Sequence, residues 1–191
     1  MRRWDAPIFI PRIETRHLVL RGHRSTDLSD CIAMWSDPKV TKFITGRPST
    51  EQQTWARLLS YLGHWAVMGF GYWAIEEKES GRFAGEAGLA DFKRDVVPAV
   101  KDVPELGFAL ASAFHGKGYA TEAARAILAW ADPQPRLAET VCLVDERNHA
   151  SICIAKKLGY DLLERTRFNE LPAVVYRRDA PMRRAGLSKD R

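Results

Sequence analysis

Two periods alternate along this chain of 191 residues, a two-residue alternation of strands and a longer helical spacing, in an order that already suggests an architecture. Ile13 to Arg21 ends in the alternating His17-Leu18-Val19-Leu20-Arg21 and predicts a first strand. Ser25 offers an N-cap and Asp27 a first-turn carboxylate for a helix carrying Leu28, Ile32 and Trp35, which Asp37-Pro38 should stop. A second helix is expected to start at Ser49, to bury Trp55, Leu58, Leu59 and Leu62, and to end at Gly63. Gly71 to Glu77 and Arg82 to Phe92 then read as a hairpin around the polar turn Glu77 to Gly81. Val103 to Leu110 is a further strand after a charged loop.

The second half is more strongly patterned. Gly116 to Ala131 is a helix with Ala120, Ala123, Ala124, Ile127 and Leu128 on one face, ended by Pro133 and Pro135. Thr140 to Val144 is a strand. Asn148 caps a helix that buries Ile152, Ala155 and Leu158 and stops at Gly159, and Tyr160 to Arg167 with Ala173 to Arg178 forms a last hairpin. The order βααβββαβαββ predicts an α/β (α+β) domain with a mixed sheet flanked by helices. The expected organisation is an N-terminal extension over 1–12, one domain over 13–178, and a disordered basic tail over 179–191.

Composition excludes several classes. With 46% hydrophobic and 28% charged residues the chain can bury a core, unlike a disordered or fibrous protein. The net charge of +5 invites a nucleic-acid reading, but residues 1–24 and 177–191 each contribute +4 and residues 25–176 sum to −3. The basic excess lies at the ends, which weighs against nucleic acid as partner. No apolar run approaches the ~20 residues that cross a bilayer, so no membrane partner is expected. Cys31, Cys142 and Cys153 lack CxxC spacing and read as reduced, buried thiols of a cytoplasmic protein. The five histidines form neither HxxxH nor HExxH, so no metal is expected.

The segment that carries chemistry runs from Glu105 to Ala123. There a strand leads through His115-Gly116-Lys117-Gly118-Tyr119-Ala120 into a helix. Unpaired N–H groups and the positive dipole end at that helix start suit a phosphate or pyrophosphate, and glycines let it approach; the same glycines also serve an ordinary tight turn. A P-loop fails because Lys117 is followed by Gly118, and a dinucleotide fingerprint fails because Thr121 stands where its third glycine belongs.

This segment resembles the coenzyme A loop of the GCN5-related N-acetyltransferase (GNAT) family, Gln/Arg-x-x-Gly-x-Gly/Ala, as His115-x-x-Gly118-x-Ala120. The run Gly116 to Ala123 resembles the branch with Rim-type ribosomal-protein N-acetyltransferases. So do Glu14 to Arg21, Asp37-Pro38-Lys39-Val40, Gly85-Glu86-Ala87-Gly88, and Asn148-x-x-Ser151 followed by Lys157-Leu158-Gly159-Tyr160. The resemblance spans roughly residues 13–178 in the family's order, departing at His115, where Gln or Arg is usual. It implies a single GNAT-like domain with a mostly antiparallel sheet of about seven strands and four helices.

It further implies acetyl-CoA as donor and direct transfer of acetyl to a primary amine, on a protein N-terminus or a small molecule. Gly116, Lys117, Gly118, Tyr119 and Ala120 would hold the pyrophosphate, and the main chain of Phe108, Ala109 and Leu110 would pair with the pantetheine arm. Asn148 would bond the cofactor near the thioester, while Lys117 and Lys156 would face its phosphates. Amines are mostly protonated at neutral pH, so a base or a water chain is needed. Glu105 is the first candidate, equally readable as a surface carboxylate, and Glu86 the second. Ser151 and Tyr160 are alternatives for the acid that protonates the leaving thiolate. Trp35, Phe43, Trp65, Trp73 and Phe168 are expected to line the acceptor site or to be core. A non-catalytic acyl-CoA sensor and an RNA- or ribosome-binding module remain competing readings. Dimers are common in such folds, and the sequence leaves oligomeric state and acceptor open.

Overall fold

The computed structural model describes residues 8–98, 100 and 102–181. The expected disordered tail falls mostly on 182–191, outside the described residues. Eight strands form one sheet in the order β1-β2-β3-β4-β5-β6-β8-β7. They are β1 Ile13–Glu14, β2 Leu18–Arg21, β3 Tyr72–Glu77, β4 Phe83–Ala90, β5 Glu105–Leu110, β6 Glu139–Asp145, β7 Asp161–Phe168 and β8 Leu171–Asp179. Every neighbouring pair is antiparallel except β5 and β6. The helices are α1 Leu28–Ser36, α2 Pro38–Thr41, α3 Glu51–Met68, α4 Tyr119–Ala131 and α5 His149–Lys157.

Two counts exceed the sequence expectation for local reasons. The first strand is broken at residues 15–17, where Glu122 of α4 accepts from the Thr15 hydroxyl (2.6 Å) and the His17 amide (2.8 Å). Asp37-Pro38 ends α1 as expected, yet Pro38 also sits at the start of α2, with the Asp37 carboxylate accepting from Lys39 N–H.

The second helix departs further from its pattern. Thr50, not Ser49, is the N-cap, in a reciprocal capping box with Gln53. The helix runs through Gly63 and stops at Gly69, whose φ of 72° is the left-handed cap geometry. Its buried stripe is Thr54, Leu58, Tyr61 and Trp65, so Trp55 and Leu59 face outward. A mid-helix glycine costs roughly 1 kcal/mol, which is less than burying Tyr61 and Trp65 returns.

Alternation across the sheet divides the core. Leu106 and Leu110 of β5 pack with Ala123, Ala124, Ile127 and Leu128 of α4, and Ala109 packs on the opposite face with Cys31, Trp35 and Leu58. Trp65 and Trp73 belong to the main core, where each meets Trp130 edge-on, so neither lines an acceptor site. Cys31 and Cys142 are buried as expected, but Cys153 is exposed on α5.

Gly85 marks a bulge in β4, with φ at 147° and a lost residue of register against β3. A Cβ there would lie 2.2 Å from the Ala109 carbonyl oxygen. Gly85→Ala is therefore expected to cost about 2–4 kcal/mol. Gly63→Ala, with nothing within 4 Å of the added carbon, should instead stabilise by about 0.5–1 kcal/mol. Urea midpoints that move in opposite directions for the two variants would bear this out; equal midpoints would refute it.

Candidate functional site

The site begins where the sheet fails to close. β5 and β6 run parallel, and only Glu105 and Val141 stand in register before the strands part. Ala111 N–H donates to the Ala84 carbonyl, and the β4–β5 register is unbroken from there. Antiparallel alternation then sends the main-chain groups of Ala109, Gly107 and Glu105 to β4, and those of Leu106, Phe108 and Leu110 to the β6 side. Of the three residues expected to offer main chain, Phe108 and the Leu110 N–H thus turn to the gap side, the Leu110 carbonyl is taken by His115 Nε2, and Ala109 turns to β4. The gap between the strands opens into a cavity of about 590 Å³, bounded by β5, β6, α3, α5 and the β7–β8 turn.

At the far end of β5 the chain turns through Gly116 (φ 76°) and Gly118 (φ 82°), and Gly118 is the N-cap of α4. The helix starts at Tyr119, not Gly116, because both glycines are left-handed. The first bond of α4 is Glu122 N–H to Gly118 O, which leaves the amides of Tyr119, Ala120 and Thr121 without intrahelical acceptors. Gly116, Lys117 and Gly118 are exposed, so this positive dipole end meets solvent.

Three contacts hold the loop in place. His115 Nε2 lies 2.8 Å from the Leu110 carbonyl and closes the turn onto β5. Glu77 of β3 accepts from the Tyr119 hydroxyl (2.6 Å) and from Lys117 Nζ (3.0 Å). The hydrogen bonds from Tyr119, Ser80 and Lys117 pull the Glu77 carboxyl down to about 2, and Glu77 in turn pushes the Tyr119 hydroxyl up to about 12. Lys117 thus points at the sheet, whereas Lys156 stands exposed on α5.

The remaining predicted residues are distributed unevenly. Asn148 Oδ1 caps α5 through the Ser151 amide (3.1 Å), and both residues line the cavity. Tyr160 does not reach the cavity lining; its buried hydroxyl lies 2.7 Å from Thr140 Oγ1, and burial raises it well above the usual tyrosine range. Glu105 lines the cavity with both oxygens held by Arg94, at 2.9 and 3.0 Å. Glu86 is 1% exposed behind the cavity wall, accepting from Trp35 Nε1 (3.1 Å) and from the Tyr61 hydroxyl. Trp35, Phe43 and Phe168 line the cavity as anticipated.

Sequence reading missed several residues. Tyr61 and Tyr72 stack in parallel at 4.4 Å along the wall, and the Tyr72 hydroxyl fills the space beside Gly107. Lys42, Arg47, Arg57 and Arg94 also line the cavity, with the Arg57 guanidinium 3.7 Å above the Trp35 ring. The lining carboxylates Glu105 and Asp145 already pair with Arg94 and Arg147. The cavity's charged lining is thus mainly cationic, which the −3 count of residues 25–176 concealed.

Comparison with known proteins matches residues 17–161 to the model of the acetyltransferase (GNAT) domain. The chain is 30% identical to YkkB of Bacillus subtilis (strain 168), an uncharacterized protein, over 76% of this chain and 81% of that one. The crystal structure of an acetyltransferase from Agrobacterium tumefaciens str. C58 superposes with a TM-score of 0.77 at 26% identity, covering 92% of this chain and 98% of that one. RimL, a ribosomal L7/L12 alpha-N-protein acetyltransferase solved with coenzyme A, superposes at 0.72 with 14% identity, covering 88% and 98%, a likeness of fold alone.

The Glu77 contacts carry a pH dependence. Its carboxyl is lowered in the fold from 4.5 to about 2, so its stabilisation is present above about pH 4.5 and is lost as pH falls toward 2. The stability gap between the wild-type protein and Glu77→Gln, followed by thermal melting, should close over that window. A gap constant from pH 6 to pH 2, roughly, would contradict it.

Proposed function

The chain belongs to the acetyltransferase (GNAT) family, and from that premise we propose an N-acetyltransferase that moves acetyl from acetyl-CoA to a primary amine in the gap between β5 and β6. The observation that carries this is the single-residue register of those strands beside a glycine-opened helix start. The protein groups present fit the donor. Amides from Gly116 to Ala120 would hold the pyrophosphate by hydrogen bonding and by the helix dipole. The inward-facing main chain of Phe108 and the N–H of Leu110 would pair with the amide-bearing pantetheine arm as a strand would.

The acceptor enters from the side of α3 and the β7–β8 turn. Glu105 faces the cavity at the apex of the gap and takes the proton from the bound acceptor ammonium through water, freeing the amine to attack, with Arg94 fixing its orientation. Main-chain N–H groups of β5 polarise the thioester carbonyl. Ser151, in the lining and held by Asn148, supplies the proton to the departing thiolate, a role the occluded Tyr160 hydroxyl is poorly placed to fill. No covalent acyl-enzyme is needed.

The lining cations favour an acceptor whose amine is accompanied by a carboxylate or another anionic group, such as an amino acid or an acidic peptide N-terminus. The Rim-type motif words support a peptide α-amine among these. The buried thiols Cys31 and Cys142 suit a reducing, cytoplasmic setting. Among the described residues no helix is long and apolar enough to cross a membrane.

A thiol-release assay with acetyl-CoA should show faster turnover of acidic N-terminal peptides and amino acids than of uncharged alkylamines. Glu105→Gln should lower kcat/KM by about 10²–10⁴-fold and flatten its rise with pH. Unchanged kcat/KM and pH profile would remove Glu105 from the mechanism, and the absence of thiol release over the whole panel would remove the activity.

A further inference from the structure

Behind the acceptor wall lies a group of side chains that acetyl transfer does not use. His23, in the connection from β2 to α1, Cys31 of α1 and Glu86 of β4 each present one ligating atom, and all three atoms lie within 4.8 Å of one another. All three residues are buried, at 8%, 1% and 1% exposure, and the His23 side chain itself is 1% exposed. Among the described residues neither ring nitrogen of His23 has a hydrogen-bond partner; Nε2 has only the Glu86 carboxylate, at 3.6 Å. A sealed imidazole left unsatisfied is costly, and such a group in a native fold calls for something that satisfies it.

We propose that His23, Cys31 and Glu86 bind a zinc-class divalent cation that ties α1 to β4. The donor set matches, since imidazole, thiolate and carboxylate are zinc's ordinary protein ligands. The geometry matches too. Bond lengths of about 2.0–2.1 Å in a tetrahedral site put nitrogen and oxygen ligands roughly 3.3 Å apart, and His23 Nε2 stands 3.6 Å from Glu86 Oε2. The other Glu86 oxygen is occupied by Trp35 and Tyr61, which orient the carboxylate as outer partners orient a metal ligand.

Charge balance completes the fit. A dication with one thiolate and one carboxylate is neutral, which a buried site requires. Binding displaces the Cys31 S–H proton to solvent with no change of oxidation state, so it strengthens as pH rises. Because Trp35 and Tyr61 both line the acceptor cavity and both hold Glu86, the ion would fix the wall against which the acceptor packs.

The test uses the full chain, stripped with a chelator and titrated with Zn²⁺ and, separately, with Co²⁺ as a spectroscopic probe. One equivalent should bind per chain and raise Tm, and Co²⁺ should give the thiolate charge-transfer band of a cysteine-bound ion. Cys31→Ser and His23→Gln should each weaken Zn²⁺ binding by more than ~10-fold. Cys153→Ser, which removes an exposed thiol, should leave the band intact. If Cys31→Ser does not fold, His23→Gln and the wild-type titration decide. A wild-type chain without stoichiometric binding or charge-transfer band would overturn the proposal, as would a band that persists in Cys31→Ser or vanishes in Cys153→Ser.

Discussion

The parting of β5 from β6 is the constraint on which the rest of the structure depends. A parallel pair buried between helices would ordinarily keep its ladder, because unpaired main-chain groups in a core are expensive. Here pairing is confined to Glu105 and Val141, and the main chain of Phe108 is left on the cavity side, with the Leu110 carbonyl beyond it held by His115. On its other side β5 is locked to β4 from Glu105 to Leu110. The strand is therefore held on one side while its other edge stays open, and an extended amide-bearing ligand is the natural complement to such an edge.

Other features serve that edge. The bulge at Gly85 admits the Ala109 carbonyl where a Cβ would collide. Glu77 reaches from β3 to Tyr119 and Lys117, while Glu122 reaches back to Thr15 and His17, so the start of α4 is tied to the sheet from two directions. These contacts hold the free amides of Tyr119, Ala120 and Thr121 beside the end of β5. An anion-binding helix start and an open strand edge thereby become one continuous surface.

Much of the fold was legible because local chemistry and tertiary packing agree. The alanine face of α4 and the Asn148 cap of α5 stand as read, and Leu18–Arg21 is a strand as expected, though all four of its residues are buried rather than alternating. Disagreement arose where a local signal was outweighed: Gly63 yielded to the Tyr61 and Trp65 stripe, and Pro38 began a turn rather than only ending one. At the site, the glycine loop was readable because left-handed residues before a helix leave a motif in the sequence. Arg94 on Glu105, Tyr61 on Glu86 and the meeting of His23 with Cys31 and Glu86 left none. Arg94 lies in the β4–β5 loop and His23 in the connection before α1, where no local pattern names a partner, and Tyr61 meets Glu86 only through the packing of α3 on the sheet.

Amide hydrogen exchange with and without acetyl-CoA tests the central claim most directly, because it reads the main chain itself. Saturating acetyl-CoA should slow exchange at Phe108 and Leu110 and at Gly116 to Thr121, and leave Gly107 and Ala109, already facing β4, unchanged. Protection elsewhere, with those two segments unaffected, would show that the gap between β5 and β6 is not where the donor binds.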